Sequence, residues 1–169
     1  MPASVLIVYA TRTGTTREAA ETIAEVIKES GLNAEVCPLR VMHKLEQYQA
    51  VVIGAPLYMF RWHNDARSFL SHNRGLLEKI PVAVFALGPV QTPRNEEEWT
   101  GAHEQLDKAL ADFPWLTPIT VGLFGGKYDP SKLGFPMKLF ASQMPEMDAR
   151  DMSSVRTWAL ELVEKIKSR

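Results

Sequence analysis

Val5-Leu6-Ile7-Val8-Tyr9-Ala10-Thr11-Arg12-Thr13-Gly14-Thr15-Thr16 is the stretch that decides the fold. Its first half is short, rich in β-branched residues and apolar throughout, as a strand buried on both faces must be. Its second half places four threonines and one glycine directly before residues 17–30. In that segment Ala20, Ile23, Ala24 and Ile27 fall three or four apart, on one helical face. Gly31 then stops the helix. A buried strand, a hydroxyl-rich turn and an amphipathic helix are the opening of a parallel crossover unit.

Outward from this stretch the same alternation repeats. Residues 33–39 read as a second, more exposed strand, 50–54 (AVVIG) as a third, 81–87 (PVAVFAL) as a fourth and 119–124 (ITVGLF) as a fifth. Helices are expected near 63–77, 97–113 and 153–167, the last carrying Val155, Trp158, Leu162 and Ile166 at helical spacing. Nearly wholly apolar strands alternating with helices predict an α/β fold, a doubly wound five-stranded parallel sheet with helices on both faces. Such sheets bind ligands outside the carboxyl ends of their strands. One domain over 1–169 is expected, with an extra segment, 127–151, after the fifth strand.

Composition narrows the function classes. The chain has 169 residues, 19 Lys+Arg, 20 Asp+Glu and a formal net charge of -1, with no concentrated basic face for nucleic acid. Cys37 is the single cysteine, which excludes an intrachain disulfide and a cysteine-based zinc site and fits a reducing compartment. Met1-Pro2-Ala3-Ser4 runs straight into the apolar strand without a charged leader, and no apolar run approaches the roughly 18 residues of a membrane span. Cytoplasmic localisation is the expectation. His43, His63, His72 and His103 form no metal pair at helical spacing, and no metal is expected.

The turn 11–16 reads as an anion site. Free N–H groups and the dipole at a helix amino terminus favour an anion, and Gly14 permits the positive φ that lets several N–H groups converge. The alternative is plain capping of the helix by Thr15 or Thr16, which one residue would achieve. Rival phosphate loops fail on residues: no lysine follows Gly14, there is one glycine instead of three, and Cys37 lies at the second strand rather than in the turn. A loop for a terminal phosphate monoester remains.

The pattern of Thr11, Thr13, Gly14 and Thr16, with Arg12 and Thr15 between them, resembles the FMN phosphate loop of flavodoxins, and the likeness extends over nearly the whole chain. It implies a flavodoxin-like sheet in the order 2-1-3-4-5 holding FMN noncovalently. The motifs at 56–63 and 124–133 are more similar to the flavodoxin-domain family that includes menaquinone-dependent protoporphyrinogen IX dehydrogenases, except that Phe60 stands where glycine is common. On that resemblance Pro56, Leu57, Tyr58, Met59, Phe60 and Trp62 form a wall for the flavin ring, since aromatic faces supply stacking area. Packing back onto the sheet, or an oligomer contact, is the alternative. Leu87, Gly88 and Pro89 would border the ring edge, Gly88 permitting close backbone approach, and Gly125 and Gly126 would do the same after the fifth strand. For Gly88 the alternative is an ordinary Gly-Pro turn.

His63 ends the ring-side segment and either donates to the flavin or its acceptor, or caps the next helix; Arg61 stands beside it. No Ser/His/Asp or Cys/His set is visible, so the chemistry belongs to the cofactor. The segment 127–151, with Phe135, Met137, Phe140, Met144 and Met147, offers adaptable apolar surface for a quinone or porphyrinogen, or for peripheral membrane contact through 135–147; a short helix covering a sheet edge is the plainer alternative. The resemblance implies an FMN-dependent oxidoreductase passing electrons between an apolar reduced substrate and a quinone-type acceptor. The alternatives are an electron carrier docking on redox partner proteins and a loop that binds some other phosphate. A strand-three loop, 57–61, without glycine favours paired over single electron transfer.

Overall fold

The computed structural model describes residues 4–11, 14–41, 44–58, 61–128 and 146–169, and of Tyr58 the backbone only. Its strands are β1 (Ser4–Tyr9), β2 (Asn33–Pro38), β3 (Ala50–Tyr58), β4 (Arg61–Trp62), β5 (Val82–Leu87), β6 (Thr120–Phe124), β7 (Lys127–Tyr128) and β8 (Met147–Asp148). Its helices are α1 (Thr15–Glu29), α2 (Asn64–His72), α3 (Arg74–Leu77), α4 (Glu96–Ala111) and α5 (Met152–Lys167). The main sheet runs β2-β1-β3-β5-β6, every pairing on that path parallel. Counted over the parallel strands alone, this is the anticipated order 2-1-3-4-5.

β1 shows no alternation because both its faces are covered. Val5 and Ile7 pack with Ile23 and Ile27 of α1 and Leu162 of α5, while Leu6 and Val8 pack with Leu70 of α2 and Leu106 of α4. Phe85 anchors the first layer, its ring 6.0 Å from Phe124 and 6.1 Å from Trp158. Gly54 makes room for it: a Cβ there would stand 1.9 Å from the Phe85 ring. Truncating Phe85 to alanine would cost about 3–5 kcal/mol.

Two elements depart from the sequence reading. The third strand runs nine residues, to Tyr58, instead of ending at Gly54. It continues in parallel register with β5 as far as Pro56↔Leu87, then turns back so that Leu57 pairs Trp62 and Tyr58 pairs Arg61. The ring-side segment is therefore a hairpin, not a loop. The helix expected over 63–77 is two helices, because the Asn73 side chain donates to the Phe69 carbonyl (2.8 Å) and ends α2.

Candidate functional site

The carboxyl end of β1 is pinned before the turn begins: Ala10 donates to the Gly54 carbonyl (3.0 Å) and Leu39 to that of Tyr9 (2.8 Å). Gly14 then takes φ 90° at the cap position of α1, and its N–H donates to Thr11 Oγ1 at 2.8 Å. Among the described residues nothing lies within 4 Å of where a Gly14 Cβ would be, so it is the backbone angle that calls for glycine. Thr15 and Thr16 are both buried and stand inside the first turn, and the cap position itself is Gly14, which has no side chain. The capping alternative therefore fails. Arg12 and Thr13 lie outside the described residues.

A left-handed glycine opening onto the first turn of a 15-residue helix fits a phosphate monoester. The acid in that turn, Glu18, would oppose an anion, and it is engaged by Arg150 at 2.8 Å. This end of the sheet suits the phosphate of FMN.

The ring-side segment needs a correction. Trp62 has no exposed surface; it belongs to the core layer of Leu6 and Leu106, and its Nε1 donates to the Ala55 carbonyl at 3.1 Å. Antiparallel pairing of β4 on β3 turns the indole inward, so Trp62 supports the hairpin and offers no face to a ring. Pro56 and Leu57 are half-buried on β3; Met59 and Phe60 lie outside the described residues. His63 is the cap of α2, its Nδ1 accepting from the Asp65 N–H at 3.1 Å. Asp65 in turn pairs with Arg40 at 2.9 Å.

The glycines after β5 and β6 serve the protein's own packing first. A Cβ on Gly88 would meet Leu57 Cδ1 at 3.2 Å and Ala102 Cβ at 3.4 Å, and its N–H donates to the Phe124 carbonyl (3.2 Å). That donor is committed within the chain. A Cβ on Gly125 would lie 1.9 Å from the Ala149 carbonyl oxygen. Gly126 donates to the Pro89 carbonyl at 2.8 Å and accepts from Ala149 at 2.9 Å. Leu87, buried in β5, ends the strand beneath this loop.

One residue the sequence reading missed organises the loop after β5. Glu98 Oε1 accepts the N–H groups of both Val90 (2.9 Å) and Gln91 (3.0 Å), while Asn95 Oδ1 accepts those of Glu97 and Glu98. The signal was present: Asn95 and Glu98 have capping-box spacing. A cavity of about 520 Å³ lies beside this loop, between Leu57, Gly88, Glu98 and Ala102.

Of segment 127–151, residues 129–145 lie outside those described. Its two ends pair as β7 and β8, with Lys127 and Glu146 2.9 Å apart. Arg150 binds Asp148 (2.6 Å) as well as Glu18. The guanidinium holds the Asp148 carboxyl down at about 2, and the two acids raise the Arg150 pKa. Among the described residues no group of three or more His, Cys, Asp or Glu could hold a metal ion, and no helix is long and apolar enough to cross a membrane.

The sheet order defines a doubly wound α/β protein in which a left-handed glycine opens the helix after the first strand. The flavodoxin domain matches residues 6–154, and the chain belongs to that family. FMN is the cofactor that family implies. Over 116 residues the chain is 29% identical to "Protoporphyrinogen IX dehydrogenase [quinone]" of Escherichia coli strain K12, covering 65% of this chain and 61% of that protein. The match thus spans less than two thirds of the curated relative's length. Flavodoxin 2 from Bacillus cereus has the same fold with a TM-score of 0.63 at 18% identity, covering 96% of this chain and 99% of that one. A flavodoxin of Streptococcus pneumoniae TIGR4 gives 0.63 at 16% identity, with 96% and 99% covered. The family and the dehydrogenase relative support a redox role.

Proposed function

We propose that this chain is an FMN-dependent oxidoreductase that passes electrons between an apolar, protoporphyrinogen-like reduced substrate and a quinone-type acceptor. The observation that carries this reading is the 29% identity to a dehydrogenase that is named for a quinone. FMN, when bound, supplies the redox chemistry. The chain's own residues do the holding and orienting. Gly14, Thr15 and Thr16, with Thr11, Arg12 and Thr13, take the phosphate. The segment Pro56, Leu57, Tyr58, Met59 and Phe60, with the loop Leu87-Gly88-Pro89, bounds the ring. Gly125 and Gly126 keep the end of β6 close to that loop. The apolar part of 127–151 covers the bound substrate from water and is the place for quinone or membrane-surface contact.

The test is anaerobic turnover of the FMN-loaded protein with protoporphyrinogen and a soluble quinone. Quinone reduction matched by porphyrin formation is the expected result. Electron exchange with a redox protein but none with either small molecule would overturn the enzyme reading in favour of a carrier.

A further inference from the structure

The loop between β5 and α4 is held from three sides. Gly88 donates to Phe124 (3.2 Å), Gly126 donates to Pro89 (2.8 Å), and Val90 and Gln91 both donate to one oxygen of Glu98 (2.9 and 3.0 Å). The first two bonds are backbone to backbone and independent of side-chain identity. The third depends on a single carboxylate. In a capping box the acid three residues into the helix turns back to the N–H of the cap residue. Glu98 instead reaches four and five residues further back, to the first residues after the Gly-Pro turn. Asn95 joins the same cluster, its Nδ2 donating to Gln91 Oε1 at 2.9 Å. Adjacent N–H groups converging on one charged oxygen make a strong and directional tie. The tie lies beside a cavity of about 520 Å³ shared by the end of β3, the Gly-Pro turn and α4.

We propose that Glu98 is a positioning residue for the flavin ring: it withdraws the Val90 and Gln91 amides from the ring, fixes the backbone that borders it, and keeps a carboxylate beside it. This rests on the reading that the ring lies at the carboxyl ends of β3 and β5. Most of the phosphate-side machinery belongs to β1 and α1, so disturbing Glu98 acts on the ring end alone.

The test compares the unmutated full chain with Glu98→Ala and Glu98→Gln, measuring FMN and riboflavin binding, the visible spectrum of the bound flavin and the amide spectra of labelled protein. In the unmutated chain the Val90 and Gln91 amide signals move when FMN is added. Signals that stay put while FMN binds would overturn the placement of the ring, and the role of Glu98 with it. With the ring so placed, Glu98→Ala weakens FMN and riboflavin by the same factor, roughly tenfold or more. Glu98→Gln, which keeps a carbonyl acceptor without the charge, recovers most of that affinity and shifts the flavin's visible band. Affinity unchanged in a folded Glu98→Ala protein would overturn the proposal while leaving the ring where it is. A loss confined to FMN would also overturn it. Should Glu98→Ala fail to fold, the band position in Glu98→Gln decides alone, an unmoved band being the contrary result.

Discussion

Arg150 Nη1 lies 2.8 Å from Glu18 Oε2, joining the returning end of segment 127–151 to the first turn of α1 across 132 positions of sequence. Glu18 is favourable to the helix, since an acid in the first turn complements the dipole, and unfavourable to a phosphate at the same end. Arg150 resolves that conflict by supplying the counter-charge.

Removing it exposes the conflict. Two unit charges about 10 Å apart in a water-like medium interact by roughly 0.4 kcal/mol. Arg150→Ala should therefore weaken FMN about two- to threefold at low salt, with less effect on riboflavin. Adding Glu18→Gln should restore the affinity. Titration of FMN into the single and double variants at two salt concentrations checks this, and a loss that Glu18→Gln does not repair would mean that Arg150 acts by packing.

Acid acts on the same cluster. The Asp148 carboxyl is held at about 2, below its ordinary 3.8, chiefly by its hydrogen bond to Arg150. A depressed carboxyl contributes stability that is fully present above its unfolded value and lost as pH falls through the folded one. The window is thus about pH 4 down to 2. Both side chains are partly exposed, 29% for Arg150 and 40% for Asp148, so screening reduces the contribution to about 1 kcal/mol or less. Asp151, which caps α5 through Ser153 and Ser154, is shifted in the same direction by its bonds to Ser154. Thermal melts between pH 5 and 2 should fall less steeply for Asp148→Asn than for the unmutated chain.

Trp62 should behave as a core residue. Trp62→Ala removes a fully buried indole and is expected to cost about 3–5 kcal/mol in denaturant unfolding. Trp62→Phe keeps most of the volume and gives up the indole's bond to the Ala55 carbonyl, a loss of about 0.5–1.5 kcal/mol. Riboflavin affinity of the folded Trp62→Phe protein should stay within a few-fold of normal; a collapse of flavin binding with stability intact would restore the indole to the ring wall.

β1 and β5 were the most legible strands because burial on both faces leaves almost no polar positions to confuse the pattern, and the left-handed Gly14 was legible because its turn is local. Trp62 was misread because an aromatic beside a predicted ligand site looks the same whether it faces the ligand or the core. That choice is made by two residues of antiparallel pairing, Leu57↔Trp62 and Tyr58↔Arg61, too short for periodicity to reveal. Pro56 hid the last part of β3, since proline donates nothing to a ladder and reads as an end. For Glu98 the capping-box spacing with Asn95 was legible but not the bonds to Val90 and Gln91, and the Arg150–Glu18 pair spans 132 positions that no local pattern connects.

Gly125 offers a prediction from space alone. A Cβ there would lie 1.9 Å from the Ala149 carbonyl oxygen and 2.7 Å from its carbon, so backbone must move. Gly125→Ala should loosen the β7–β8 pairing and the Arg150 contacts that follow it. Protease cleavage within 127–151 should become faster, with unfolding of the main sheet little changed. Equal cleavage rates would show that the strand ends yield without cost.

The phosphate end supplies the sharpest contrast with Glu98. Gly14 sits at φ 90°, and among the described residues no atom lies within 4 Å of where its Cβ would be, so the resistance to a side chain comes from the backbone. A β-branched residue resists most, and holding it left-handed costs on the order of 1–2 kcal/mol. Gly14→Val should relieve that strain by turning the loop out of the left-handed region, which swings its N–H groups away from the anion. Each lost hydrogen bond to a charged phosphate is worth about 1.5–3 kcal/mol, or roughly 10- to 150-fold in affinity. FMN should therefore weaken by at least tenfold while riboflavin, which lacks the phosphate, changes little. Glu98→Ala should show the opposite signature, weakening both ligands alike. Calorimetric titration of the two ligands into the two variants separates the ends of the site. Equal weakening of both ligands in Gly14→Val would mean that this loop does not hold the phosphate.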